Sequence, residues 1–346
     1  HWQKMKDEGK EFKPIFGVEA YFLPSIEEWR EDYERIKEDK KLAKSLAKEG
    51  DTSGATVEDE EASKKAIKSV INRRRHLILL AQNQTGLNNI FKMISLSHQG
   101  DNFYRYPRLD YKILRDHREG VIASSACLGG VYAGNYWDHR ESGPDAILEA
   151  MRVTTEKMQS IFGDRWFGEL QWNNVPEQHE LNEYIIQMHY ESGIELISTA
   201  DSHYPNPEAW KDRELYKRLG YLNRPKKPEW MSDGLPESIE EVGYELYPKN
   251  GIQMWESYKK YSEERRVLYD NDLVYDSIVK THWIANELIE DFFPDDTVRL
   301  PGFVIPEGET ATEALMKAAV SGLRNLGLND NEEYCDRLQH ELNVIV

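Results

Sequence analysis

LISTADSHY, from Leu196 to Tyr204, is the stretch on which the fold turns. The apolar run from Ile194 to Ile197, interrupted only by Glu195, reads as a buried strand that runs out into Asp201 and His203. Side chains on an extended chain alternate faces, so positions i and i+2 point the same way. A carboxylate and an imidazole leaving a strand end on one side make half of a metal site. The plainer alternative is an Asp capping the next helix beside a solvated His. The stretch alone leaves both open.

Working outward, four more segments read as strands. KPIFGVEAYF, Lys13 to Phe22, is apolar and β-branched apart from Glu19, and a lone Glu in a buried strand is expensive unless paired or bound to a cation. HLILLA opens on His76, and GVIA, Gly120 to Ala123, runs into SSACLGG with Cys127 beside a Gly-Gly turn. WFGELQW, Trp166 to Trp172, is the fourth. Helical patterns separate them: Gln84 to Leu96, Ala146 to Phe162 and Gln178 to Gly193. Alternating strands and helices predict an α/β fold with its site on the loops after the strands. Glu19, His76, Cys127, Asp201 and His203 then fall in or at the ends of strands, where ends converge on one face. Carboxylate, imidazole and thiolate together suit zinc or manganese.

The segment from Ser25 to Arg75 differs in character. Ile26, Trp29, Tyr33, Ile36, Leu42 and Leu46 give a charged helix a narrow apolar stripe; a polar break at Asp51 to Glu60 reads as its mobile centre. Arg73-Arg74-Arg75 is a candidate for touching phosphates, but a solvated helix end is the expectation. Phe103 to Asp110 is a loop mixing aromatics with Arg105 and Arg108. Beyond Tyr204 the chain is mainly helical, from Glu208 to Leu222 and from Ile252 to Glu290, then from Thr310 and from Glu332 onward.

Composition bounds the function. The 346 residues carry 62 acidic against 44 basic side chains, a net charge of -18, the wrong sign for coating nucleic acid unaided. A metal-filled site offsets acidity locally. The two cysteines, Cys127 and Cys335, make no disulfide framework, which fits a reducing cytoplasm. No run approaches the roughly 20 apolar residues of a membrane span. The chain begins at His1 without Met and stops in the apolar run LNVIV, so both ends read as cut.

Seven words in register carry a resemblance: KPIFGVEAY, HLILLAQNQTGLNNIFKMIS, YRYPRLD, SACLGG, WFGELQWNNVPEQHELN, TADSHYPNPEAW and LPGFVIPEGET. Over nearly the whole chain the sequence resembles the PHP (polymerase and histidinol phosphatase) domain of bacterial-type replicative DNA polymerase III alpha subunits. The resemblance implies a distorted (β/α) barrel lacking its first strands, with a helical lead-in to a polymerase palm. It implies a PHP domain over residues 1–292 with a charged helical insertion at 25–75, a linker at 293–308 and the start of a polymerase region at 309–346. It places metal ligands at Glu19, His76, Cys127, Asp201 and His203, for up to three zinc or manganese ions in the complete domain, with Glu19 and Asp201 as bridging, catalytic carboxylates. Glu169 takes a structural role in that comparison; Arg105 and Arg108 are candidate contacts for substrate phosphate, with surface ion pairs an equal alternative.

Three departures qualify it. The family's opening His-x-His strand and later Thr-Asp-His turn would lie upstream of His1. The segment at 25–75 is longer than usual, which points to a divergent polymerase, of host or phage origin. The acidic triad of polymerisation, with its magnesium, would lie beyond Val346. The expected activity is DNA-directed DNA polymerisation by the parent protein, with 3′-5′ exonuclease chemistry at the PHP site. Expected partners are the DNA primer-template, the sliding clamp and a proofreading subunit. Two other readings stand beside it: a metal-binding scaffold that packs on the palm and docks a separate proofreading subunit, and a stand-alone PHP phosphatase.

Overall fold

The computed structural model describes residues 2–48, 70, 73–224, 227–228, 231, 234–295, 297–298, 300 and 302–346. The mobile centre expected at 51–60, the helix expected to resume from 64, the side chains of Leu42 and Leu46, and His1 lie outside the described residues. The chain divides into two units, His1–Pro294 and Asp295–Val346.

Five strands build the sheet of the first unit: β1 (Gly17–Phe22), β2 (Arg75–Ala81), β5 (Val121–Ser124), β6 (Trp166–Gln171) and β7 (Glu195–Thr199). They lie in the order β1-β2-β5-β6-β7. The first three pair antiparallel and the last three parallel. The sheet is not closed among the described residues, and its mixed α/β architecture agrees with the distorted barrel implied by the sequence. A two-stranded hairpin, β3 (Phe103–Tyr104) and β4 (Tyr106–Pro107), stands apart.

Period-two alternation divides the sheet's faces. Leu77 and Leu79 of β2, Val121 and Ala123 of β5, Trp166 and Leu170 of β6 and Leu196 of β7 point to one face and join a single buried core. Helices cover that face: α3 (Gln84–Ser97), α5 (Val131–His139), α6 (Pro144–Phe162), α7 (Pro176–Ser192) and α11 (Asn271–Trp283). The earlier helices α1 (Trp2–Asp7) and α2 (Ile26–Lys48) flank β1 in sequence, and α4 (Tyr111–Asp116) precedes β5. Ile26 and Trp29 of α2 are buried and Tyr33 and Ile36 half-buried, the narrow stripe expected of it.

The opposite face is divided along its length. At one end Ile122, Phe167 and Ile197 pack against Ile284 and Ile289, which arrive on a π-helical turn at Ile284–Leu288. At the other end β1, β2, β5 and β6 carry Glu19, His76, Ser124 and Glu169. The apolar end is a floor; the polar end is the site.

After β7 come α8 (Trp210–Leu219), α9 (Ile239–Val242) and α10 (Gly251–Arg265). The helix expected from Ile252 to Glu290 is broken where Arg266 takes a left-handed φ of 57°. It restarts at α11, capped by the Asp270 carboxylate. In the second unit, α12 (Ala311–Asn325) opens with a capping box between Thr310 and Glu313, and α13 (Glu332–Ile345) with Asn331. Arg75 opens β2, so the arginine run enters a strand where a helix end was expected.

Candidate metal centre

The site begins with a register. Glu19 lies opposite Ile78 and Tyr21 opposite His76, so Glu19, Tyr21 and His76 share one face of the β1–β2 ribbon. His76 Nδ1 reaches Glu19 Oε1 at 2.5 Å. The loop after β5 brings in the third group: Cys127 Sγ lies 3.5 Å from His76 Nδ1. Glu19, His76 and Cys127 each offer one ligand atom, all within 4.8 Å of one another.

Tight backbone holds this loop. His76 donates its N–H to Gly129 O at 2.8 Å, extending β2 onto the loop. A side chain at Gly130 would put its Cβ 2.0 Å from Ser125 O, so only glycine fits. Ala126 adopts a left-handed φ of 60°, a strained state for a residue with a Cβ. Cys127 therefore sits three residues past the strand, on a turn the surroundings enforce.

Asp201 and His203 leave β7 on the same side as Glu169 and Thr199. Asp201 is also left-handed, with φ 48°. Its carboxyl group feels the charges of His203, Glu19 and His76, while the three donors that come within 4.8 Å of one another are those of Glu19, His76 and Cys127. His203 Nδ1 lies 2.7 Å from the Asp201 carbonyl and 3.9 Å from its Oδ1. Donation from Nδ1 to that carbonyl leaves the lone pair on Nε2, the usual way a ligating imidazole is oriented.

Glu169 lies beneath them, wholly buried. One carboxylate oxygen accepts from Ser124 Oγ at 2.5 Å and from the Ala126 N–H at 3.1 Å; the other accepts from Thr199 Oγ1 at 2.5 Å. It ties the β5 loop to the end of β7, the structural role the sequence comparison gave it.

The electrostatics are those of an acid-rich pocket. The hydrogen bond from His76 holds the Glu19 carboxyl below its usual range, against the opposing pull of burial. Burial raises Asp201, and the charge of Glu19 adds to it. Burial, then the charges of Asp201, Glu19 and Glu169, push the Cys127 thiol up to about 12. Burial raises Glu169 as well. Three carboxyls and a thiol thus crowd against two imidazoles. A divalent cation is the group that relieves such crowding, and the mixed O, N and S donors suit zinc or manganese. The residues present fit a metal.

The two arginines of the Phe103 to Asp110 loop part company. Arg105 is exposed at the tip of the β3–β4 hairpin. Arg108 is 2% exposed, its guanidinium stacked 3.7 Å from the Trp29 ring centroid and donating to the Asp101 and Asn102 carbonyls. Its burial lowers its pKa to about 10. Arg108 is tied up inside the fold.

Comparison with known proteins supplies the kinship. The PHP domain matches residues 1–173. The chain belongs to the PHP domain family. It is similar to a DNA polymerase III subunit alpha of Aquifex aeolicus, with 30% identity across 99% of this chain and 25% of that protein. The protein of that name from Borreliella burgdorferi is 29% identical across 96% of this chain and 24% of its own length. One from Helicobacter pylori is 36% identical over 41% of this chain and 12% of its own. This PHP chain spans 25% and 24% of the first and second of these relatives. Among the described residues no helix is long and apolar enough to cross a membrane.

Proposed function

We propose that this chain is the N-terminal part of a replicative DNA polymerase III alpha subunit, and that its PHP centre hydrolyses the 3′-terminal phosphodiester of DNA. The observation that carries the reading is the convergence of Glu19, His76 and Cys127 within 4.8 Å, in a chain that follows such subunits along 99% of its length. Asp201 and His203 complete the proposed ligand set. A divalent ion bound there supplies Lewis acidity toward a phosphoryl oxygen and makes water more acidic.

The chain's own residues do the rest. The carboxylate of Glu19 comes from β1 and that of Asp201 from the turn that follows β7. Glu169 holds the Cys127 loop and the Asp201 strand end in register. The Cys127 thiol, with its pKa near 12, keeps its proton until a cation displaces it, so loading releases a proton to solvent. The strained turns at Ala126 and Asp201 fix the donors before substrate arrives. Arg105, exposed at the tip of the β3–β4 hairpin, is the proposed phosphate contact. DNA primer-template, a sliding clamp and a proofreading subunit are the partners this reading carries, with magnesium serving polymerisation elsewhere in the full-length protein.

The test is metal content per chain by elemental analysis of the full-length protein and its Cys127→Ala variant, with digestion of a primer 3′ end in parallel. Two or three ions, fewer in the variant, together with metal-dependent digestion, are expected. Bound metal without digestion turns the reading to a scaffold that docks a separate proofreading subunit. Absence of metal from both proteins overturns the ligand assignment.

A further inference from the structure

His203 lies beyond the end of β7, outside the ladder that strand forms with β6, so its backbone is held from elsewhere. Its N–H donates to the Leu246 carbonyl at 2.7 Å, and the Tyr204 N–H donates to the same oxygen at 3.2 Å. Leu246 in turn donates its N–H to the Tyr204 hydroxyl at 2.9 Å. The strap that carries Leu246 is also sewn to the chain leaving β6. There the Asn174 N–H donates to Gly243 O at 2.8 Å, and the Glu245 N–H to Asn173 Oδ1 at 3.4 Å. Residues 243–249 belong to no helix or strand, so no ladder of their own sets their place.

Glu245 sets it. The residue is buried, and a buried carboxylate has to be paired. Its Oε1 accepts from the Tyr261 hydroxyl and lies 3.5 Å from Lys260 Nζ. Its Oε2 accepts from Ser257 Oγ at 3.3 Å and lies 3.8 Å from Lys249 Nζ. Ser257, Lys260 and Tyr261 all stand on α10. Lys249 closes the cluster from the strap itself, its side chain 3% exposed and its Nζ donating to Glu245 O at 2.5 Å. Burying opposite charges adds little net stability, because desolvation offsets most of their attraction. What the pair imposes is position: an apolar side chain could slide along α10, whereas this carboxylate meets these partners in one place.

We infer that Glu245 is a positioning residue for His203, holding the Leu246 carbonyl where it fixes the backbone of that ligand. The inference rests on the ligand set proposed above and adds the support of its last member. Glu169 grips β7 at Thr199 and holds the Cys127 loop. His203, four residues further on, takes its hold from the strap. The two sides of the centre therefore have separate supports, one on the sheet and one on α10.

The experiment uses full-length protein, with cobalt(II) as the metal probe. In metal-free protein, Glu245→Gln should speed hydrogen exchange in the segment 201–204 by about tenfold and leave the loop 125–130 as in the wild type. It should weaken cobalt binding by about tenfold and alter the d–d bands, while the thiolate-to-cobalt band from Cys127 persists. Adding Lys249→Met removes both charges, so Tm should recover while cobalt affinity stays low. The double variant also carries the test where Glu245→Gln alone does not fold. Met254→Ala, a buried truncation on α10, should lower Tm and leave cobalt affinity unchanged.

Wild-type exchange and affinity in Glu245→Gln overturn the inference. So does affinity that returns with Tm in the double variant, or an equal loss of affinity in Met254→Ala. A wild type that binds cobalt in a Glu245-dependent way, yet digests no primer end with any metal, overturns hydrolysis and upholds the positioning role. Digestion with Glu245-independent metal binding does the reverse. A wild type that binds no cobalt overturns the ligand set and this inference together.

Discussion

On the helix-covered face of the sheet, Leu77, Leu79, Val121, Trp166 and Leu170 are almost wholly buried in one apolar core. On the opposite face, the positions between them carry Glu19, His76, Ser124 and Glu169 at one end and Ile122, Phe167 and Ile197 at the other. Neighbouring residues on a single strand thus serve two purposes, because a period of two sends them to different surroundings. The dry face supplies the stability that lets the wet end crowd acids together. The comparison predicts that substitutions one residue apart have separable effects, on folding or on metal.

The largest expected effect is on the wet side. His76→Ala should abolish metal retention and lower 3′-end digestion by about a hundredfold or more. Its side chain is half-exposed, so unfolding in denaturant should move by less than about 1 kcal/mol. A collapse of stability would mean that the two faces are not separable.

Leu79→Ala, three residues along and facing the helices, should do the opposite. Its side chain is fully buried, so truncation should cost about 2–5 kcal/mol in denaturant unfolding. Metal per folded chain should stay as in the wild type. A loss of metal from the folded fraction would break the comparison from the other side.

The smallest effect is a pH dependence from the helix side of the molecule. His179 on α7 is buried, its Nδ1 2.8 Å from Tyr269 Oη and its Nε2 3.1 Å from Asn173 O. Burial lowers its pKa from 6.5 to about 4. As pH falls, the unfolded chain takes up this proton first, so the contribution is full above pH 6.5 and drains as pH falls towards 4. Between pH 7 and 5 it should remove roughly 2 kcal/mol of stability. Denaturant titrations of wild type and His179→Gln at the two pH values would measure it; equal slopes in both proteins would refute the assignment.

Much of this was legible in the residues. All five sheet strands follow from short apolar runs bounded by turns, and Glu19 stood out because a charge interrupted one of them. The helix at Val131–His139 did not, because VYAGNYWDH spreads aromatics around the helix and places Gly134 in its middle. A Cβ there would meet Arg75 Nε at 2.3 Å, so the Arg75 side chain would have to shift, a contact no local pattern encodes. Arg108 read as a phosphate contact because its partner Trp29 lies far away in sequence.

Glu169 has a further consequence. Its carboxylate is gripped by Ser124, Ala126 and Thr199, so two loops far apart in sequence share a single clasp. Neither can loosen without stripping hydrogen bonds from a buried acid. Opening of the Cys127 turn and of the Asp201 strand end is therefore one event with one barrier, and the donors on both arrive or depart together.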